Sequence, residues 1–164
     1  MRNSPACPAR CRDADLADMA VCAGILSSWI DATPWMPRVH STGEVERYYR
    51  ETVFAERSVV VAEREVEIAG FLTFSDDHLV TALYVDERHR GTGVGAALLG
   101  VAKKRSGTEL RLWTFEHNTR AQRFYVREGF VPAGRTAGEN EEGLPDILYL
   151  WRAELPRGRE AFHA

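Results

Sequence analysis

Apolar positions along the chain change period twice, and the changes divide it into regions. Residues 1–12 hold Pro5 and Pro8 without apolar periodicity and read as a tail or, at most, a short edge strand. From Asp13 onward Leu16, Met19, Ala23, Leu26 and Ile30 recur at spacings of three and four, which predicts a helix with those side chains on one face and Asp13 or Asp15 as its cap. The stretch from Ala32 to His40, with Pro34 and Pro37 around Trp35 and Met36, cannot continue that helix and reads as an ordered loop. Ser41 followed by Glu44 is a capping box, opening a second helix with Val45, Tyr48, Tyr49, Thr52 and Val53 expected on its buried side.

The period then shortens. Ser58–Ala62, Ile68–Phe74 and Leu79–Val85 are β-branched and aromatic runs separated by polar turns, the pattern of an antiparallel meander. A glycine-rich loop at 90–95 follows, then a helix from Val94 to Lys104, a strand Leu110–Phe115 and a helix from Asn118 to Arg127. The chain closes with a short strand at Phe130, a polar loop 133–146 and a strand Ile147–Trp151. This order predicts a mixed α/β sheet with helices on both faces.

At 164 residues, 45% hydrophobic and 27% charged, the chain fits one globular domain, assigned to residues 13–152, with tails at 1–12 and 153–164. A net charge of −3 argues against broad attachment to nucleic acid or an anionic membrane, so any anion site must be local. Cys7, Cys11 and Cys22 form neither a disulfide framework nor a zinc pattern, so no metal is expected. Asp13, Asp15 and Asp18 precede the apolar stretch at Met19 where a signal peptide carries positive charge, and no run has membrane-span length. A cytoplasmic location is expected.

Residues 90–95, RGTGVG, lie between a strand and a helix, where successive backbone N–H groups and a helix N-terminus converge and bind anions. A nucleoside-triphosphate loop needs a Lys-Ser or Lys-Thr pair, which the chain lacks. Gly91, Gly93 and Ala96 satisfy a dinucleotide pattern, with Glu116 where a ribose-binding acid would stand. Yet Asp86 to Arg90 intervene after the strand, and the preceding strands form a meander instead of β-α units.

LYVDERHRGTGVGAALL, followed by LRLWTFEHNTRAQRFYVREGF, resembles the GCN5-related N-acetyltransferases. The family's first motif matches Arg90, Gly93 and Gly95, followed by Leu98 and Leu99; its second matches Asn118, Ala121, Tyr125, Gly129 and Phe130. The resemblance runs from about Val59 to Trp151. WMPRVH at 35–40 and GENEEGLPDILYLW at 138–151 look like segments of a bacterial subgroup.

The resemblance implies a mostly antiparallel sheet with a splay between the fourth and fifth strands, and acetyl-CoA as acyl donor to a primary amine of a small molecule, peptide or protein. It implies that Arg90, Gly91, Thr92, Gly93, Val94, Gly95 and Ala96 cradle the pyrophosphate, that backbone at Leu83, Tyr84 and Val85 meets the pantetheine arm, and that Asn118 bonds the same arm or caps its helix. Tyr125 is the expected general acid, because a phenol of pKa about 10 suits a departing thiolate of pKa about 8.5. Glu116 is the expected general base. Trp29, Trp35 and Met36 are expected to face Glu139, Glu141, Glu142 and Asp146 around the acceptor. A homodimer is compatible with this reading, and a non-catalytic acyl-CoA-binding module of the same fold is the alternative from another class.

Overall fold

The computed structural model describes residues 8–154. Residues 1–7, with Cys7, and residues 155–164, most of the expected C-terminal tail, lie outside the described residues. Seven strands form one sheet in the order β1-β2-β3-β4-β5-β7-β6. Their ranges are β1 Arg10–Asp13, β2 Ser58–Arg64, β3 Glu67–Phe74, β4 Leu79–Val85, β5 Glu109–Phe115, β6 Val131–Thr136 and β7 Asp146–Arg152. Every neighbouring pair is antiparallel except β4 and β5. The helices are α1 Met19–Ala32, α2 Thr42–Tyr48, α3 Phe54–Glu56, α4 Val94–Ser106 and α5 Thr119–Arg127, with a π turn Tyr49–Val53 joining α2 to α3.

Alternation along the strands sends side chains into two cores. Val59, Val61 and Phe71 meet Met19, Cys22, Ala23 and Ile25 of α1 and Val45, Tyr49 and Val53 of the second helical segment. Val60, Ala62 and Leu72 point the other way, against Val94, Leu98, Leu99 and Ala102 of α4 and Tyr125 of α5. Burial pushes the Cys22 thiol up to about 12, so it acts as a small apolar core residue.

The structure differs from the pattern-based expectation at three places. Leu16, expected on the buried face, is 52% exposed, because residues 16–18 form a 3-10 turn whose tighter winding sets it out of phase with α1. Tyr48 is 47% exposed because the π turn that begins at Tyr49 rotates the buried face. The short strand at Phe130 and the polar loop from Ala133 are in fact an edge strand, Val131–Thr136, with Phe130 itself buried just before it.

One irregularity positions the site. The β3/β4 ladder pairs Thr73 with Ala82 but Phe74 with Val80, leaving Thr81 as an extra residue in β4. Such a bulge bends its strand and changes which face the following side chains occupy. Val80 packs in the α4 core; past the bulge Leu83 and Val85 do so, while Ala82 and Tyr84 turn to the α1 core. The parallel pairing with β5 covers only Leu79↔Arg111 and Val80↔Leu112. Beyond Thr81 the two strands part.

Candidate functional site

Where β4 leaves β5 a cleft of about 800 Å³ opens, lined by β4 from Val80 to Val85, by β5 from Leu112 to Phe115, by the loop before α4 and by one face of α5. On the side toward β5, the β4 backbone from Thr81 to Val85 has no strand partner. Leu83 and Val85 therefore offer backbone hydrogen-bonding groups to the cleft, as a sheet edge does, whereas the Tyr84 carbonyl is turned toward Gly70 of β3.

The loop takes its shape from two glycines of positive φ, Gly91 at +70° and Gly93 at +87°, the latter being the N-cap residue just before α4. A Cβ on either would meet no protein atom within 4 Å, so the space above the loop is open. Helix geometry leaves the first amides of α4, those of Val94, Gly95 and Ala96, without intrahelical acceptors. Gly95 serves packing instead: a Cβ there would stand 3.1 Å from Cζ of Phe124. Gly70, unremarked in the sequence, lets α4 approach the sheet, since its Cβ would lie 2.9 Å from the Tyr84 carbonyl oxygen and 3.1 Å from Cγ1 of Val94.

Arg90, Gly91, Gly93, Val94, Gly95 and Ala96 all line the cleft; Thr92 does not, its hydroxyl donating back to the His89 carbonyl. Asn118 lines the cleft and also caps α5, its Oδ1 accepting from the Ala121 amide at 3.0 Å. Behind the loop, Nη2 of the buried Arg64 donates to the Thr92 carbonyl at 3.1 Å. Arg120, Arg123 and Arg127 of α5 also line the cleft. Sequence reasoning passed over them, although their spacing of three and four places them on one helix face. Lys103, a more obvious phosphate candidate, is turned away, donating to the Glu128 carbonyl at 2.6 Å.

Tyr125 lies at the cleft wall, 8% exposed, its ring against Phe124, Phe130 and Tyr149 at centroid distances of 5.3, 5.7 and 6.1 Å. Burial raises its phenol above the ordinary tyrosine value, and the field of Tyr84 adds to that. Glu116 is not brought into this arrangement. It sits just past β5, its Oε1 accepts from Nη1 of Arg135 at 3.1 Å, and it is absent from the cleft lining. The partner that draws it away belongs to the edge strand absent from the sequence pattern.

Trp29 lines the cleft and packs on Tyr84, and Trp35 packs on Trp29. Of the carboxylates, Asp146 is occupied by Thr136 and by Nδ2 of Asn140, and Glu141 bonds Nε2 of His40 at 2.7 Å. Burial pushes the Tyr84 phenol up to about 12, and the charge of Glu142 adds to that shift.

A split parallel pair beside a glycine loop that opens a helix is the architecture of an acyl-coenzyme A transferase fold. Residues 55–132 match the Acetyltransferase (GNAT) domain. That segment matches the family of the GCN5-related N-acetyltransferases, whose usual acyl donor is acetyl-CoA, and the chain has their fold. It is 24% identical over 135 residues to the peptidyl-lysine N-acetyltransferase YiaC of Escherichia coli, covering 77% of this chain and 88% of that protein. Among solved structures it resembles apo YjaB of Escherichia coli, with a TM-score of 0.72, 25% identity and coverage of 88% of this chain and 97% of the other. YncA of Salmonella typhimurium, solved with its cofactor acetyl-CoA, matches with a TM-score of 0.69 at 20% identity, covering 94% and 99%. No helix among the described residues is long and apolar enough to cross a membrane.

Proposed function

We propose that this protein transfers an acetyl group from acetyl-CoA to a primary amine. The observation that carries the proposal is the parting of β4 from β5 directly beside the open glycine loop, which puts free backbone groups and a helix N-terminus on one cleft. The residues present fit the coenzyme. Amides at Val94, Gly95 and Ala96, with Arg90, suit a pyrophosphate; Arg120, Arg123 and Arg127 add positive charge along the opposite wall; the β4 edge at Leu83 and Val85 suits an extended amide-bearing arm. Thr92 supports the loop from within, and the free amide of Asn118 is available to the same arm.

When bound, acetyl-CoA supplies a thioester as the acyl donor. In the transfer the amine nitrogen forms a bond to the acetyl carbonyl carbon, the carbon–sulfur bond breaks, the nitrogen gives up a proton and the sulfur gains one. The β4 amides hold the negative charge that builds on the carbonyl oxygen, a contribution of roughly 10²- to 10³-fold for one such donor. Tyr125 gives its hydroxyl proton to the sulfur. Glu116, held by Arg135 outside the cleft, is not used as the base; solvent takes the amine's proton and returns one to Tyr125.

Thiol release from acetyl-CoA across a panel of primary amines tests this reading, alongside the melting temperature with and without acetyl-CoA. A coenzyme-dependent rise in melting temperature and amine-dependent thiol release are expected. A melting temperature indifferent to acetyl-CoA would sink it.

A further inference from the structure

Four aromatic rings span the gap between the parted strands. Tyr84 stands near the end of β4 and Phe115 at the end of β5; between them lie Trp29 of α1 and Trp35 of the following loop. The centroid distances in series are 5.3 Å from Tyr84 to Trp29, 5.7 Å from Trp29 to Trp35 and 5.9 Å from Trp35 to Phe115. His117 extends the row, stacked on Trp35 at 5.8 Å and 25°. Tyr84 packs on the α1 side of the sheet, whereas the glycine loop opens α4 on the other side. Trp29, Tyr84 and Phe115 line the same cleft as Tyr125, and all four rings keep part of their surface exposed. Trp29, Tyr84 and Phe115 therefore form an aromatic wall of the cleft, braced by Trp35, which packs on Trp29, Phe115 and His117.

The charges around this mouth are mostly spoken for. Arg38 bonds Asp31 at 2.8 Å and the Ser27 carbonyl at 3.0 Å, Arg135 holds Glu116, and His40 bonds both Glu141 and Glu44. The His40–Glu141 contact also joins the loop after α1 to the loop before β7. An acidic groove suited to a polycationic chain is not what these groups make. What lines this end of the cleft is an aromatic wall.

We infer that the acceptor is a small primary amine carried on a planar aromatic body, an arylalkylamine, whose ring stacks on the wall of Trp29, Tyr84 and Phe115 while its amino group reaches the strand split. Stacking and burial of one ring reward an aromatic body over an aliphatic one of equal size, and a pocket that recognises it discriminates about 10- to 100-fold. The inference rests on the acetyltransferase reading, and the experiment separates the two.

Purified protein is assayed by thiol release with phenethylamine, tryptamine, hexylamine, spermidine and a lysine-containing peptide. Binding of each amine in the presence of CoA is measured by calorimetry, and acetyl-CoA binding by melting shift. The expected result is a kcat/KM for phenethylamine or tryptamine at least about 10-fold above hexylamine. Trp29→Ala should erase that preference mainly through KM, and Trp29→Phe should keep most of it, with both variants retaining the acetyl-CoA melting shift. Equal use of hexylamine, preference for spermidine or the peptide, or no calorimetric binding of either arylalkylamine overturns the inference while leaving coenzyme binding intact. Absence of the acetyl-CoA shift in the native protein would instead bring down the reading beneath it.

Discussion

Replacing Tyr125 with Phe removes one hydroxyl from a ring that is otherwise held by packing. Phe124, Phe130 and Tyr149 touch the ring itself, so the variant keeps those contacts and should stay within about 1 kcal/mol of native stability. The size of the kinetic effect follows from the environment of the hydroxyl. An ordinary phenol has a pKa about 10 and a thiol about 8.5, so donation to the departing sulfur is uphill by at least about 1.5 pK units, or about 2 kcal/mol. Burial raises the Tyr125 phenol further, which makes the transfer steeper still. General acid catalysis supplies roughly 10²- to 10⁴-fold, and this donor belongs at the lower end, so Tyr125→Phe should lower kcat about 10²-fold. The kcat/KM should fall in the same proportion while acetyl-CoA affinity stays within about threefold, because the proton moves only in the transition state. Because the donor's pKa is raised, the native enzyme should show no loss of kcat from Tyr125 ionisation below about pH 10. Steady-state thiol release should be paired with single-turnover kinetics, since slow product release hides changes in chemistry. An unchanged single-turnover rate in the folded variant would refute the general-acid role and leave the coenzyme site standing.

Gly93→Ala forces a side chain into a backbone of φ +87°, at a cost of roughly 1–2 kcal/mol, and should lower the melting temperature by several degrees and weaken acetyl-CoA binding about tenfold; unaltered affinity by calorimetry would mean that the loop is only a turn. Arg64→Met removes the guanidinium that holds the Thr92 carbonyl from behind, and we expect acetyl-CoA affinity to drop by about threefold to tenfold, read by melting shift against coenzyme concentration. Arg12 bonds Asp18 at 2.7 Å and holds its carboxyl below the usual carboxylate range. The resulting stability is therefore complete above the unfolded pKa of about 3.9 and is lost as pH falls through the lower folded value. Asp18→Asn should cost about 1 kcal/mol at pH 7, and its denaturation midpoint should converge with the native one as pH falls through the lowered folded value.

Much of this architecture is legible in the chain because burial imposes a period. The meander strands alternate between two cores and the α1 face repeats at three and four, so both register in the hydrophobic pattern. The edge strand 131–136 does not, because its residues are exposed up to Thr136 and it is held by backbone pairing with β7. That omission carried over to Glu116, whose partner Arg135 lies on that strand. The glycine loop was readable as an anion site, but the division of labour within it was not. Gly91 and Gly93 shape the loop, whereas Gly95 makes room for Phe124 from an element more than twenty positions away. Trp29 and Trp35 could be placed at the acceptor end from the family resemblance, yet their continuity with Tyr84 and Phe115 depends on four separate segments meeting. No local pattern encodes that.

Thr81 gives the cleft an unusual genetic economy. The parting of β4 from β5 and the reversal of Tyr84 toward α1 both begin at this single extra residue, which Thr73 steadies through a hydroxyl contact of 2.6 Å. Deleting that one codon should restore even alternation along β4 and turn the side chains of Ala82 to Val85 to the opposite faces, exchanging what each core receives from this strand.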